Sequence, residues 1–218
     1  MPVSPSRVAR RMLGTFRASS ILVPPRCACC GRVAGADALI CDGCAASLAC
    51  ARPLIETGPP GVDLAIAAAE YEGAARALAH SLKFARRLGL ARPAAELIAR
   101  ACPGDELHGA LVPVPASPGR WRWRGFDAAE EIALALADLT GLPSHPCLRR
   151  APGGRQVGRS RARRLADPPR VRARGAAPAR ALLVDDVRTT GATLSACSGA
   201  LRRAGSAEVV ALTLARSH

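Results

Sequence analysis

A chain of 218 residues, 49% of them apolar, can bury one ordinary α/β core and still carry a small appendage. No apolar run approaches the ~20 residues that span a bilayer, and the basic N-terminus lacks an apolar stretch with a cleavage site, so neither a membrane span nor a signal peptide is read. The formal charge of +14 rests on arginine everywhere except Lys83, and it favours anionic partners such as diphosphates or nucleic acid without choosing between them.

Residues 1–25 form a basic leader with Arg7, Arg10, Arg11 and Arg17, closed by Pro24-Pro25. Val8, Met12, Leu13 and Phe16 can share one helix face, either to pack on the body of the protein or to lie on a membrane surface. Six of the nine cysteines then fall between Cys27 and Cys50. Cys27-x2-Cys30 and Cys41-x2-Cys44 are two knuckles, each aiming two sulfurs at one point; together they make a tetrahedral S4 set that suits zinc. This crowding fits a metal site in a reducing cytosol, hence a cytoplasmic protein, better than a disulfide framework or a redox pair. Gly31 and Gly43 supply turn freedom beside the knuckles, and Arg26 and Arg32 offset the thiolate charge. All four positions are filled by protein, so the metal is read as structural. So small a module, taken as residues 26–58, owes most of its folding free energy to that metal. Cys29 and Cys50 stand outside the set. Cys102, Cys147 and Cys197 are scattered and read as small buried apolar residues.

Thr57-Gly58-Pro59-Pro60-Gly61 reads as a linker to a larger domain over 62–218. Leu64 to Tyr71 is its first strand, although the alanine content also suits a helix. Ala74 to Phe84 and Pro93 to Ala101 read as helices. Ala110 to Pro115 is a short buried strand running into a proline-stiffened turn. Asp127 to Leu139 is a helix with acids in its first turn and apolar residues at Ile132, Leu134, Leu136 and Leu139. Residues 149–180 hold eleven arginines and one acid, Asp167. Ala181 to Val184 is the continuous apolar run of a central parallel strand. Thr193 to Arg203 is a helix closed by Gly205, and Val209 to Leu214 a last strand. Strands alternating with helices predict an α/β fold, a parallel sheet with flanking helices.

The chemistry concentrates in residues 184–193. A buried strand delivers Asp185 and Asp186 at its carboxyl end, the edge at which open α/β sheets take ligands. The next turn offers hydroxyls from Thr189, Thr190 and Thr193. Gly191 permits close backbone approach, and the helix that starts there points unpaired N–H groups and its positive dipole end at whatever the turn holds. That is a phosphate cradle. The acids repel phosphate, yet they can accept hydrogen bonds from sugar hydroxyls or hold a metal ion. A sugar phosphate satisfies both halves. Upstream, the rigid Val112-Pro113-Val114-Pro115 turn is followed by Arg120, Arg122 and Arg124, guanidinium groups fit for a diphosphate or for a basic surface loop. Trp121 and Trp123 between them can stack a base or pack on their own domain.

The run Asp185-Asp186-Val187-Arg188-Thr189-Thr190-Gly191-Ala192-Thr193 resembles the phosphoribosyl-diphosphate signature of type I phosphoribosyltransferases. Val112-Pro113-Val114-Pro115, Arg124-Gly125-Phe126, Gln156-Val157-Gly158 with Ser160-Arg161 and Arg164, Tyr71 and Leu82-Lys83-Phe84 extend the resemblance to the ComF family, over roughly residues 22–216. That family couples an N-terminal zinc ribbon to a type I phosphoribosyltransferase-like domain. The resemblance implies that Asp185 and Asp186 meet the ribose 2′ and 3′ hydroxyls. Thr189, Thr190, Gly191, Ala192 and Thr193 would hold the 5′-phosphate of 5-phosphoribosyl-1-diphosphate bound with Mg2+. Arg122 and Arg124 would meet the diphosphate, and Gln156 to Arg164, with Gln156, Arg161 and Arg164, is the candidate loop or hairpin closing over it, where a solvated basic loop or a nucleic-acid contact is the alternative. The acceptor is not identified. Some members of the family are linked to competence and DNA uptake, which implies single-stranded DNA or a helicase as the alternative partners of a non-catalytic accessory protein. The chain departs from the family pattern at Asp127-Ala128, where Asn-Gln is usual, at Asp167 for Asn and at Arg159 for Leu. It departs again at Arg188, where an apolar or small residue is usual; Arg188 is expected to point to solvent.

Overall fold

The computed structural model describes residues 24–84, 87–117, 119, 125–151 and 169–217. In chain order its elements are helix α1 (Asp42–Ala49), strands β1 (Leu54–Thr57) and β2 (Leu64–Glu70), helix α2 (Gly73–Phe84), helix α3 (Ala91–Ala101), strand β3 (Ala110–Pro113) and helix α4 (Ala128–Thr140). Strands β4 (Leu148–Arg150), β5 (Val171–Ala173) and β6 (Arg180–Arg188), helix α5 (Ala192–Arg203) and strand β7 (Glu208–Arg216) complete it. Five strands form one sheet in the order β1-β2-β7-β6-β3; β4 and β5 pair as a separate antiparallel hairpin stem. β2, β7, β6 and β3 are parallel, and β1 joins the edge antiparallel to β2. Among the described residues no helix is long and apolar enough to cross a membrane.

The alternation of side chains along a strand divides the core into two layers. In β6, Leu182 and Val184 face the layer built with α2, α3 and α4, while Ala181 and Leu183 face the layer built with α5 and the hairpin stem. β7 repeats the pattern, with Val210, Leu212 and Leu214 on the first side and Val209 and Ala211 on the second. Residues 181–184 are fully buried, as a central strand covered on both faces requires. Each Leu or Val so buried contributes roughly 1.5–3 kcal/mol. On α3 the buried set Ala91, Ala94, Ala95, Leu97, Ile98 and Ala101 follows the helical period and presses small alanines close to the sheet.

Four sequence readings change. Thr57-Gly58-Pro59-Pro60-Gly61 is the return between β1 and β2, and the sheet already begins at Leu54, inside the stretch assigned to the cysteine module. Leu134 is 48% exposed because it sits on the opposite side of α4 from Ile132 and Leu136. β6 runs on past Val184 to Arg188, so both aspartates lie within the strand. Gly43 lies inside α1, while Gly31 takes the left-handed turn conformation at φ +74°.

Candidate functional site

β3 ends at Pro113, whose strand partner is Val184, and Val114 N–H makes a further bond to the Val184 carbonyl at 2.9 Å. Among the described residues no strand pairs with β6 on this edge beyond that point, and Asp185–Val187 border a notch. The pleat sends Asp185 towards the α5 layer and Asp186 towards the α2 layer, yet both carboxylates line the one cavity, about 240 Å³, that fills the notch. Thr189 and Thr193 line it from the turn and from α5, Lys83 from α2, Asp127 from the start of α4 and Arg150 from β4. Asp185, Asp186, Thr189 and Thr193 are thus brought to one space at the carboxyl edge of the sheet, whereas Thr190, Gly191 and Ala192 do not line it.

Asp186 is 5% exposed, and its Oδ2 lies 2.7 Å from the Lys83 ammonium. Its Oδ1 accepts from the Val187 N–H at 2.7 Å, and the Asp185 Oδ1 accepts from the Asp186 N–H at 2.8 Å. Burial, reinforced by the charge of Asp186, holds the Asp185 carboxyl well above the usual carboxylate range; Lys83 opposes the shift. Nearby, burial pushes the Cys197 thiol up, with Asp185 adding to the effect. Cys102, Cys147 and Cys197 are all buried.

Asp127 is an acceptor-only group, and its contacts suit one. Oδ1 accepts from Ala129 N–H at 3.1 Å and caps α4; Oδ2 accepts from Ala116 N–H at 2.6 Å and ties down the turn that follows β3. Burial raises this carboxyl too, the two N–H bonds opposing it and Asp186 and Glu130 adding to it.

At the turn, Gly191 has φ +75° and is the N-cap of α5, so the N-cap itself offers no side chain to the first N–H groups of the helix. A Cβ at Gly191 would lie 2.7 Å from the Pro59 Cβ, so the β1–β2 return packs directly against the cradle. Ala192 opens the helix, with its N–H 3.4 Å from the Thr190 Oγ1. On the far side of the turn, Thr189, Thr190 and Gly191 line a second cavity of about 470 Å³ with Arg188 and Arg216. Arg188 does not point to solvent: it is 9% exposed and paired with Glu56 of β1, which also lies 3.2 Å from Arg216. The strand that carries Glu56 is only four residues long, too short to be read from sequence, which hid this partner.

The four knuckle cysteines converge as their spacing predicts. The Sγ atoms of Cys27, Cys30, Cys41 and Cys44 lie within 4.8 Å of one another. Cys30 and Cys41 sulfurs are 3.6 Å apart, against roughly 3.8 Å for the edge of a tetrahedron with Zn–S bonds of ~2.3 Å. This donor set can hold a metal such as zinc. Burial opposes ionisation of Cys27, yet backbone N–H groups of Cys41, Cys30 and Cys29 outweigh it and lower the thiol to about 6. Two of those bonds, from Cys29 and Cys41, measure 3.4 and 3.3 Å. Cys41 is the N-cap of α1, so the second knuckle is the start of a helix, and Cys44 sits in its first turn. Arg26 spends its guanidinium on the Gly31 carbonyl at 3.1 Å. The module is fastened to the body where Ser81 of α2 donates to the Ala28 carbonyl at 2.6 Å.

Arg122, Arg124, Gln156, Arg161 and Arg164 lie outside the described residues, as do Trp121 and Trp123. The β4–β5 stem flanks residues 152–168 on both sides. Sequence reasoning left Asp127, Lys83 and Arg150 out of the site. The signal for Lys83 was present, a single lysine in a chain that otherwise uses arginine. Comparison of the sequence with protein-family models and with curated proteins returns no match.

Proposed function

We propose that this chain is a phosphoribosyltransferase-like protein of the ComF type, which binds 5-phosphoribosyl-1-diphosphate with Mg2+ and transfers ribose 5-phosphate to an acceptor, releasing diphosphate. The observation that carries the reading is the single cavity shared by Asp185, Asp186, Thr189 and Thr193 at the open start of α5. The helix N-terminus and the threonine hydroxyls suit the 5′-phosphate. Asp185 and Asp186 accept from the ribose hydroxyls in this reading. The acceptor's electron pair forms the new bond at C1 as the C1–O bond to diphosphate breaks, and that bond pair leaves with the diphosphate. Positive charge developing on the sugar is favoured beside the carboxylates, and no covalent protein nucleophile is needed.

The donor chemistry fits a divalent cation: two adjacent acids face the cavity, Asp186 buried and paired with Lys83, Asp185 half-buried. Magnesium held there with the ligand would supply positive charge to the leaving diphosphate. Arg122 and Arg124 take the diphosphate end in this reading. The four-cysteine cluster holds structural zinc as a zinc ribbon; its ligand sphere is complete, so it takes no part in the transfer.

Titration calorimetry with 5-phosphoribosyl-1-diphosphate and Mg2+ tests the reading. Binding in the micromolar range is expected, with a loss of about 100-fold or more when Asp185→Asn and Asp186→Asn are combined, two charge-assisted contacts at once. No heat at millimolar ligand would end it.

One observation favours a second reading, an accessory role on single-stranded DNA or beside a helicase. Most of the formal positive excess lies in residues 1–23, 120–124 and 152–168, whereas Arg180, Arg188, Arg202 and Arg216 of the body are paired with acids. DNA binding that falls steeply with salt, survives the two aspartate changes and comes with no diphosphate release would select it.

A further inference from the structure

The cavity over β6 poses an electrostatic problem for the ligand proposed above. Three acidic side chains line it, Asp127, Asp185 and Asp186, and the leaving diphosphate is itself strongly anionic. Asp127 is committed to two N–H groups, which leaves the acid pair to be countered. Two cations of the described residues line the same space, Lys83 and Arg150, and they come from different elements.

Lys83 has the properties of a shared cation. It sits in the last turn of α2, where a positive charge is favoured by the helix dipole. Its side chain is 22% exposed and its Nζ lies 2.7 Å from Asp186. One such contact occupies one of three ammonium donors, and the side chain lines the cavity, so the group can hold Asp186 and still meet a ligand oxygen. An arginine in that place would grip the carboxylate with two parallel bonds and a rigid fork, fixing both partners. Every other cation in the chain is an arginine, and the single lysine stands against the acid pair.

We propose that Lys83, with Arg150, forms a leaving-group subsite: in the empty site Lys83 neutralises Asp186, and in the loaded site it contacts the diphosphate as well. The inference rests on the phosphoribosyl reading and adds the residues that receive the departing anion. Lys83 and Arg150 reach the cavity independently of the arginines at 120–124.

The test uses two probes on the full chain, inorganic diphosphate with Mg2+ and ribose 5-phosphate. Lys83→Gln is expected to weaken diphosphate binding by about 10–100-fold, the effect of one charge-assisted contact, and to leave ribose 5-phosphate within about threefold. Arg150→Gln should shift the same probe in the same direction. Lys83→Arg keeps the charge and guards against a folding artefact; it should recover part of the diphosphate affinity. Equal weakening of both probes by Lys83→Gln, or no change in either, overturns the subsite alone. A wild-type protein that binds neither probe overturns the reading of the whole site, and the subsite with it.

Discussion

Gly191 answers two demands at once, a left-handed backbone and a proline ring packed where a side chain would be. Replacing it with alanine costs about 1 kcal/mol for the backbone alone, and the contact with Pro59 adds to that. At this chain length ~1 kcal/mol corresponds to about 2–4 °C in Tm. Gly191→Ala should therefore lower Tm by at least that much and abolish measurable ribose 5-phosphate binding; unchanged melting and binding would show that the turn is not built as described. The glycine was legible in the sequence because a threonine-rich turn before a helix needs one. Its contact with Pro59 was not, since that contact joins segments far apart in the chain. The same holds for Arg188: a charged residue next to a threonine-rich turn reads as exposed until its acid partner on another strand is known. Leu134 shows the opposite failure, an apolar residue off the buried stripe.

At the scale of elements, spacing was the most informative signal. Two Cys-x-x-Cys pairs predict convergent sulfurs because each knuckle is a local structure, and the four sulfurs do converge. The long apolar helices and the central strand were legible for the same reason, a periodic pattern over many residues. β1, β4 and β5 escaped notice. They are three or four residues long, and β4 and β5 carry Arg149, Arg150 and Arg172, so register with a neighbour defines them and composition does not. The knuckles make a firm prediction. Elemental analysis of the purified chain should find one zinc per molecule. Its removal by a strong chelator, or Cys30→Ser, should unfold the module and lower the melting temperature, because so small a unit has little other source of stability. Full thermal stability in the metal-free protein would refute a structural role.

At the scale of the whole molecule, the ligand edge is assembled at a cost in stability. The raised Asp185 carboxyl holds its proton more tightly in the native state than in the unfolded chain, where it titrates near pH ~4. Its contribution to stability is full below about pH 4 and is lost as pH rises through the folded-state value. Asp185→Asn removes that loss. We expect the variant to melt higher than wild type near pH 8, with the gain shrinking towards pH 5. Melting curves across that range check it, and a difference that stays constant with pH would contradict the protonation argument.

The edge strand β1 carries a consequence for how this architecture can be taken apart. Glu56 counters two arginines behind the threonine turn, yet it lies upstream of the point where composition suggests cutting the chain. A fragment beginning at residue 62 would expose a raw sheet margin and strand two guanidinium groups without their counterion. The four-cysteine module and the sheet-bearing body are therefore not interchangeable cassettes; a junction between them would have to fall before residue 54 to leave the sheet whole.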